Sequence, residues 1–486
     1  MGAVMLQGTG SDVGKSVLVA GLCRLLTNKG MTVRPFKPQN MSNNAAVTPE
    51  GGEIGRAQAL QAIACRVSSH VDMNPVLLKP QSDKTAQVVV HGKVHDTGDA
   101  GYFRDQKQEL LDAVLASYQR LSSKADIVLV EGAGSPAEIN LRQGDIANMG
   151  FARAAGVPVV LIGDIDRGGV IAALVGTKAV IDPADADMIH GFLINKFRGD
   201  VKLFDDGYTA ITERTGWTGL GVIPWLPMIH KLPAEDAVVL QQSKPVEDGI
   251  VEIAVPMLSR IANFDDFDPL RLEPQVRLRM IPPGEPIPAS ASLIIIPGTK
   301  ATIADLKFLR AQGWDIDIAA HVRRGGSVLG ICGGYQILGK SISDPEGIEG
   351  TAETIAGLGL LAVQTTLTAA KTLGRVTGKS LADDQDFTGY EIHAGETRTG
   401  GMDRMLRLTD GRQDGAVSKD GRISGCYVHG LFDTAAQRQA WLARLGAISN
   451  GLDQTNIVDQ ALDELSEALE KHINIDELLV IAERAA

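Results

Sequence analysis

The chain has 486 residues and a formal net charge of −12 at pH 7, with 44% hydrophobic and 22% charged residues. This length predicts about two to four domains, and the composition is typical of a folded protein with large cores. The acidic balance argues against a general binder of nucleic acid or anionic membranes. The 54 glycines and the 4% aromatic share favour an α/β fold with many tight strand-to-helix turns.

The cysteines and the hydropathy pattern exclude further classes of protein. Four scattered cysteines without a CxxC pair argue against a disulfide framework and against structural zinc. No apolar run reaches the about 20 residues of a membrane helix, and no basic segment precedes an apolar stretch at the N-terminus. We therefore expect a cytoplasmic protein without a membrane span and without a nucleic-acid partner.

Apolar runs alternate with helical stretches along the chain, which is typical of parallel sheets buried on both faces. We expect one α/β domain over residues 1–235, a polar linker over 236–250, a second α/β domain over 251–450, and a helical tail over 451–486 whose charged side chains face solvent. The predicted strands are 4–6, 127–130, 157–162, 191–194, 251–255, 276–281, 293–296 and 327–331.

The first chemical motif is a glycine-rich loop between a predicted strand and a predicted helix. Residues 8–16 read Gly-Thr-Gly-Ser-Asp-Val-Gly-Lys-Ser, which is a variant phosphate loop because Thr9 stands where the strict pattern has glycine. In such a loop backbone N–H groups hold phosphate, Lys15 reaches the β/γ oxygens, and the Ser16 hydroxyl meets Mg²⁺. The alternative is a glycine turn followed by a chance Lys-Ser pair. The predicted nucleotide-binding residues are Gly8, Thr9, Gly10, Ser11, Gly14, Lys15, Ser16 and Asn195.

Carboxylates and other polar groups follow several of the predicted strands. Glu131 ends the strand 127–130, where open α/β sheets bind their ligands, so it is a candidate magnesium ligand or water-orienting group. The alternative for Glu131 is a helix-capping acid. Polar turns at 37–42, 163–169 and 195–197 lie at similar strand ends. Each of them alone is a weak signal, since a strand is often followed by a charged loop.

The second motif is a cysteine on a sharp turn. Cys332 lies between an apolar strand and a predicted helix and is flanked by glycine, as in a nucleophile elbow. Such a turn exposes the thiol, and the N–H of Gly333 can donate to an oxyanion. A second donor is expected from the loop that contains Gly298, after the strand 293–296. The alternative, a small buried residue, is the interpretation we prefer for Cys23 and Cys65.

A catalytic cysteine needs a base, and two histidines are available. His429 lies at the end of a predicted strand, and His393 is its competitor. We expect His429 to be the base. His91 and His95 are spaced for a metal on a helix but lie in a strand and turn, so we interpret them as surface residues.

The combination of both motifs resembles the cobyric acid synthases of cobalamin biosynthesis, and the resemblance covers nearly the whole chain. Residues 8–16 look like the phosphate loop of the group that includes dethiobiotin synthetase. The C-terminal half resembles a class I glutamine amidotransferase, except that Leu431 stands where ordinary members have a glutamate that orients the histidine. This departure matches the cobyrinic and cobyric branch, which resembles a Cys–His dyad. Further matching stretches are 36–44, 55–59, 73–80, 166–170 and 260–270.

The resemblance implies ATP and Mg²⁺ as cofactors, and glutamine and a corrinoid polycarboxylate as substrates. It implies that Cys332 and His429 release ammonia from glutamine, while the first domain phosphorylates propionate carboxylates of adenosylcobyrinic acid a,c-diamide. Ammonia then displaces phosphate, and four amides are formed to give cobyric acid. The substrate-binding candidates are Lys37, Asn40, Arg56, Lys79, Asp166 and Arg167.

Two rival functions remain open at this point. The sister enzyme that amidates the a and c carboxylates uses the same chemistry, although the stretches 37–44 and 166–170 argue against it. A partition-type P-loop ATPase belongs to a different class. Such ATPases carry a second lysine five residues before the loop lysine, where this chain has Gly10, and they have no cysteine elbow.

Overall fold

The computed structural model describes residues 2–81, 84–99, 101, 105–235 and 249–485. The predicted linker 236–250 therefore lies almost entirely outside the described residues. Strands and helices are numbered below in chain order. All eight predicted strands are present, although the third is shifted and runs over Val159–Asp164.

The first half of the chain, called here the first unit, is built on a six-stranded parallel sheet with the spatial order β12–β11–β10–β1–β9–β2. Every residue of β9 and β10 is buried, which explains why neither strand has a polar side chain before the acid that ends it. The strands are β1 Gly2–Gly8, β2 Val33–Phe36, β3 Gln39–Met41, β4 Ala45–Val47, β5 Glu53–Gly55, β6 Val76–Pro80, β7 Ala86–Val90, β8 Lys93–Gly98, β9 Ile127–Glu131, β10 Val159–Asp164, β11 Ile189–Phe197 and β12 Thr218–Pro224. The helices are α1 Lys15–Asn28, α2 Arg56–Ala64, α3 Lys107–Ser122, α4 Met149–Ala155, α5 Val170–Val180, α6 Pro183–Ala186 and α7 Asp205–Thr215.

The second unit has its own sheet, in the order β14–β13–β15–β16–β24–β23, of which only β23 is antiparallel to its neighbour. A long hairpin of β19 and β20 belongs to a further sheet in the order β18–β17–β19–β21–β22. The strands are β13 Val251–Pro256, β14 Val276–Ile281, β15 Leu293–Ile296, β16 Ser327–Ile331, β17 Ser341–Asp344, β18 Glu353–Ala356, β19 Gln364–Ser380, β20 Asp386–Arg398, β21 Leu406–Leu408, β22 Gln413–Asp414, β23 Ala416–Val417 and β24 Ile423–Cys426. The helices are α8 Asp268–Arg271, α9 Thr302–Ala311, α10 Trp314–Arg323, α11 Gly333–Leu338, α12 Ala435–Arg444, α13 Gln454–His472 and α14 Ile475–Ala482.

The last two helices pack their apolar side chains into the core of the first unit. Leu465 and Leu469 of α13 contact α1 so closely that a Cβ on Gly21 would lie 2.4 Å from the Leu469 side chain. Asp463 of α13 forms an ion pair of 3.2 Å with Arg24, whose side chain is fully buried. Asp459 and Asp463 lie on the solvated face expected for this segment, with side chains 50% and 42% exposed, and they also neutralise the buried Arg24.

The two units meet along the hairpin of β19 and β20. Ile392 of β20 packs in one buried cluster with Ala45, Val47, Leu77 and Val89 of the first unit. The small sheet β3–β6–β7–β8 and the pair β4–β5 supply those apolar side chains. The carboxyl edge of the first sheet and the cysteine elbow of the second unit therefore belong to one packed structure. Within the part of the chain that is described, no helix is both long enough and apolar enough to span a bilayer.

Candidate active sites

The glycine-rich loop connects β1 to α1 at the carboxyl edge of the first sheet. Lys15 is the first residue of α1, and its Nζ donates to the carbonyl oxygens of Gly10 at 3.2 Å and Gly134 at 3.4 Å. The hydroxyl of Ser16 donates to the carboxylate of Glu131 at 2.7 Å. The lysine, hydroxyl and carboxylate predicted to bind nucleotide and metal are thus gathered at one edge of the sheet, where α/β folds bind ligands.

Asn195 supports this loop from β11. Its side-chain amide donates to the carbonyl oxygen of Val13 at 2.8 Å. Gly14 has a φ of 96°, and a Cβ at this position would lie 2.4 Å from Asn195 Nδ2, so both the backbone conformation and the space require glycine. Asn195 therefore fixes the backbone of the loop, and its contact with a nucleotide stays a prediction.

Glu131 is fully buried at the end of β9 and accepts hydrogen bonds from several side chains. Besides Ser16, the donors are Lys37 Nζ at 2.8 Å and Gln61 Nε2 at 2.5 Å. The carboxylate is thus held by a cation and an amide, whereas a helix-capping carboxylate would accept from backbone N–H groups. This geometry favours the metal-binding or water-orienting interpretation.

Sequence reasoning missed a second carboxylate at the same place. Glu235 is an alternative acceptor for the single hydroxyl proton of Ser16 and lies 2.7 Å from Lys37 Nζ. The hydroxyl of Ser16 and the carboxylates of Glu131 and Glu235 form a set of hard oxygen donors, which fits Mg²⁺. No sequence signal singled out Glu235, because it follows the last strand of the first sheet in irregular backbone.

The two lysines of this site have opposite pKa shifts. Burial lowers the pKa of Lys15, and although Glu131 opposes this effect, Lys37 adds to it. Burial alone would also lower the pKa of Lys37, but the carboxylates of Glu131 and Glu235 outweigh it and raise that pKa above its ordinary value. Lys37 therefore neutralises the two carboxylates, while Lys15 lies at the glycine-rich loop.

The cysteine elbow lies at the corresponding edge of the second sheet. Cys332 follows β16 and precedes α11 with φ 52° and ψ −111°, a strained conformation typical of a nucleophile elbow. Its backbone N–H donates to the carbonyl oxygen of Cys426 in β24 at 2.8 Å. A Cβ on Gly334 would lie 2.0 Å from the carbonyl oxygen of Ile296, so the chain needs glycine next to the turn.

The loop expected to supply the second oxyanion donor lies against the elbow. A Cβ on Gly298 would be 2.9 Å from the ring of His429, and one on Gly333 would be 2.6 Å from the side chain of Thr299. Thr299 in turn is tied to Asp305 by a hydrogen bond from its hydroxyl. The loop that contains Gly298 therefore lies directly against the turn that contains Gly333, and both are next to Cys332.

His429 has a partner that the sequence interpretation of a dyad did not include. Its Nδ1 lies 2.7 Å from the carboxylate of Asp266, whose other oxygen accepts from the N–H of Gly430 at 2.7 Å. Burial would lower the pKa of His429, but the charges of Asp266 and Cys332 and its hydrogen bonds to both raise that pKa to about 10. Asp266 thus performs the orienting role that Leu431 cannot, so the arrangement is a triad.

His393, the competing base, has a different environment. Its ring stacks on Tyr427 with centroids 3.6 Å apart. Burial, together with the charge of His429, lowers the pKa of His393 to about 4. His393 is therefore neutral near pH 7 and lacks a carboxylate at hydrogen-bonding distance, since its nearest ion-pair contact, to Glu391, is 3.9 Å.

The substrate-binding candidates are not gathered in one place. Lys37 lies beside Glu131, and Asn40 donates to Gln58 at 3.2 Å in the same region. Lys79 is buried at the boundary of the two units, where it contacts Glu53 at 3.1 Å. The Lys79 amine is thus already paired with a carboxylate inside the protein.

Two other candidates lie on the exposed loop between β10 and α5. Asp166 forms an ion pair of 2.6 Å with Arg198. Arg167 has a side chain that is 63% exposed and approaches Asp12 of the glycine-rich loop at 3.5 Å. Arg167 is therefore the candidate most available to an anionic substrate near that loop. Arg56, the sixth candidate, contacts the second unit.

A phosphate-loop unit joined to a unit with a Cys–His–Asp triad defines a glutamine-dependent ATP ligase. Residues 4–239 match the CobQ/CobB/MinD/ParA nucleotide binding domain, and residues 252–437 match the CobB/CobQ-like glutamine amidotransferase domain. The cobyric acid synthase of Rhizorhabdus wittichii is 64% identical over 484 residues, which are 99% of each chain. The chain belongs to the cobyric acid synthase family.

Other known proteins are also similar to this chain. The cobyric acid synthase of Novosphingobium aromaticivorans is 62% identical over 485 residues, or 99% of this chain and 98% of the relative. A solved structure described as a glutamine amidotransferase is 20% identical, covers 41% of this chain and 100% of its own, and has a TM-score of 0.31. The match to an amidotransferase domain separates this chain from partition-type ATPases, and the named relatives favour the cobyric branch over its sister enzyme.

Proposed function

We propose that this protein catalyses the ATP- and glutamine-dependent amidation of four side-chain carboxylates of adenosylcobyrinic acid a,c-diamide, giving adenosylcobyric acid. The similarity to cobyric acid synthases along 99% of the chain supports the substrate class and the reaction. The observation that carries the proposal is the presence, in one packed structure, of the Cys332–His429–Asp266 triad and the Lys15–Ser16–Glu131 cluster.

The first half-reaction belongs to the second unit. The sulfur of Cys332 attacks the side-chain amide carbon of glutamine, and the N–H groups of Gly333 and Gly298 donate to the oxyanion that forms. His429, held by Asp266, gives its proton to the departing nitrogen, so ammonia leaves and a glutamyl thioester stays on Cys332. Water then attacks the thioester with His429 as base, which releases glutamate and restores the thiol.

The second half-reaction belongs to the first unit. A carboxylate is a poor acyl donor because its oxygen is a poor leaving group, and transfer of the γ-phosphoryl group of ATP converts it into an acyl phosphate. Lys15 and the loop N–H groups bear the phosphate charge in this step. Ammonia attacks the carbonyl carbon, phosphate leaves, and an amide is formed.

Mg²⁺ fits the oxygen donors of this unit. Ser16, Glu131 and Glu235 would hold it, and a bound Mg²⁺ neutralises phosphate charge during phosphoryl transfer. Lys37 donates hydrogen bonds to both carboxylates and so holds them in place.

We assign the amidoligase step to residues 1–235 and glutamine hydrolysis to residues 251–450. Residues 236–250 are the linker between them, and the tail 451–486 adds its helices to the core of the first unit. The packing of α13 on α1 supports placing the tail with the first unit. Glutamine and a corrinoid polycarboxylate are the substrates in this proposal.

The test separates the two half-reactions with Cys332→Ser. We expect this variant to lose amidation driven by glutamine and to keep amidation driven by ammonium salts, because the thiol only liberates ammonia. Cys65→Ser is the matched control, since Cys65 is equally buried but lies in the first unit away from the triad. If Cys332→Ser retains its glutamine-driven rate, or loses both rates while folded, the division of labour is wrong.

A further inference from the structure

The turn that carries Asp266 is held by residues of the first unit. The backbone N–H of Ala45 donates to Asn263 Oδ1 at 3.2 Å, and the N–H of Phe264 donates to Asn44 Oδ1 at 3.4 Å. Asn263 itself has a φ of 53°, which is uncommon for a residue other than glycine. The orienting carboxylate of the glutamine site therefore lies on a turn whose hydrogen-bond partners include Asn44 and Ala45 of the first unit.

Arg56 of the first unit contacts this region through its guanidinium. Its guanidinium lies 2.7 Å from the carboxylate of Asp265, the neighbour of Asp266, and donates to the hydroxyl of Tyr390 at 2.6 Å. The side chains of Arg56 and Asp265 are 16% and 13% exposed, so this ion pair is largely shielded from water. Removing one partner would leave an uncompensated buried charge beside the triad.

Tyr390 continues the connection to the catalytic base. Its ring stacks on the ring of His429, with centroids 5.1 Å apart and an interplanar angle of 15°. The two residues also exchange backbone hydrogen bonds of 3.1 Å and 2.9 Å. Arg56 thus reaches His429 by two routes, through Tyr390 on one side and through Asp265 and Asp266 on the other.

The helix that begins at Arg56 also contacts the nucleotide site. Gln61 of α2 donates to Glu131 at 2.5 Å and to the carbonyl oxygen of Ser16 at 3.3 Å. Gln58, two residues after Arg56, approaches the same carboxylate at 3.4 Å. Arg56 and Gln61 lie five positions apart on one nine-residue helix, so at a rise of about 1.5 Å per residue about 7.5 Å of helix connects the two sets of contacts.

We propose that Arg56 is a positioning residue for the glutamine site and that α2 couples this site to the nucleotide site. Arg56 keeps Tyr390, Asp265 and therefore Asp266 in the arrangement that holds His429 beside Cys332. This inference rests on the proposed function, and it reassigns Arg56 from corrinoid binding to control of ammonia release.

The experiment uses the full chain and compares Arg56→Met with Arg375→Met. Arg375 is the matched control, because its guanidinium also crosses the boundary of the units, by donating to the carbonyl oxygen of Val47 at 3.1 Å. Arg375 lies opposite Tyr390 in the β19–β20 ladder, but its guanidinium bonds to Val47 and Ser69 and not to the Tyr390 hydroxyl or to Asp265. We expect Arg56→Met to lower the kcat of glutamine hydrolysis about tenfold or more, the scale of a typical coupling between sites, with the KM for glutamine within about twofold. Amidation driven by ammonium salts should be retained, and Arg375→Met should hydrolyse glutamine at the normal rate.

Two further measurements make the result decisive. Adding Asp265→Asn to Arg56→Met should recover part of kcat, because the unpaired buried charge is removed. ATP with Mg²⁺ should change the wild-type rate of glutamine hydrolysis and leave the rate of Arg56→Met unaltered.

Several outcomes would overturn the inference. These are a normal kcat in Arg56→Met, an equal loss in Arg375→Met, a raised corrinoid KM in the ammonium reaction, or a wild-type rate indifferent to ATP. If instead Cys332→Ser keeps its glutamine-driven rate, the proposed function itself fails, whatever the Arg56 variant does.

Discussion

Replacement of Asp266 by asparagine tests the triad most directly. Asp266 Oδ1 accepts from the N–H of Gly430, and Oδ2 lies 2.7 Å from Nδ1 of His429. An asparagine would keep its oxygen on Gly430, so its NH₂ group would face Nδ1. Nδ1 would then have to present a lone pair, the ring proton would move to Nε2, and His429 would no longer accept a proton from Cys332.

The size of the effect follows from the charges around His429. Burial disfavours the imidazolium, and the pKa of about 10 depends on attraction by Asp266 and Cys332. Without the carboxylate, burial dominates and His429 becomes neutral at pH 7 in the unproductive tautomer. We expect the kcat/KM of glutamine hydrolysis to fall about 10²–10⁴-fold, which corresponds to about 3–5 kcal/mol of lost transition-state stabilisation.

The assay measures glutamate release, with ammonium-driven amidation in the same preparation as the internal control. Because the pKa of His429 is raised, its positive charge is present at neutral pH and is lost only as the pH rises through about 10. Glutamine hydrolysis by the wild type should therefore lose rate only as the pH rises through about 10, where His429 loses the proton that it gives to the departing nitrogen. A kcat/KM within about twofold of the wild type would refute the role of Asp266.

Four other changes have defined outcomes. Lys15→Ala should abolish amidation with either nitrogen source, because both need the phosphate charge bound, and a normal ammonium-driven rate would contradict this. Glu131→Gln should raise the Mg²⁺ concentration needed for half-maximal amidation, and an unchanged Mg²⁺ titration would return Glu131 to a structural role. His429→Ala should lower glutamine hydrolysis at least about 10²-fold and more than His393→Ala does; the reverse order would mean that the base is misassigned. Leu465→Ala should lower the free energy of unfolding by about 2–5 kcal/mol, seen as a lower urea midpoint, although it lies in the C-terminal segment.

The sequence predicted the parts of the sites that are local in the chain. The strand before Lys15 and the strand before Cys332 were visible as apolar runs, and each motif followed its strand directly. Asp266 was not identified, because it lies 163 positions before His429 and reaches it only through the folding of the second sheet. A usable signal existed, since the stretch 260–270 contains three aspartates after the end of β13, but the sequence could not indicate which one faces the histidine.

Contacts between the units were beyond sequence reasoning for a similar reason. Arg56 was grouped with possible substrate ligands because it is a cation near other family motifs, whereas its partners Asp265 and Tyr390 lie more than 200 positions away. Glu235 was missed because irregular backbone carries no periodic pattern. Hydrophobic periodicity indicates which face of an element is buried, but it does not specify the element on which that face packs.

The packing of α13 on α1 has a consequence for the order in which the protein folds during synthesis. The last strand of the first sheet, β12, ends at Pro224, and α13 begins at Gln454, so 454 − 224 = 230 positions separate them. At a synthesis rate of about 5–20 residues per second, the ribosome needs roughly 10–50 s to cover that distance. During this interval the apolar stripe of α1 that later receives Leu465 and Leu469 has no cover from α13. The first unit therefore completes its core only after the amidotransferase unit has been synthesised.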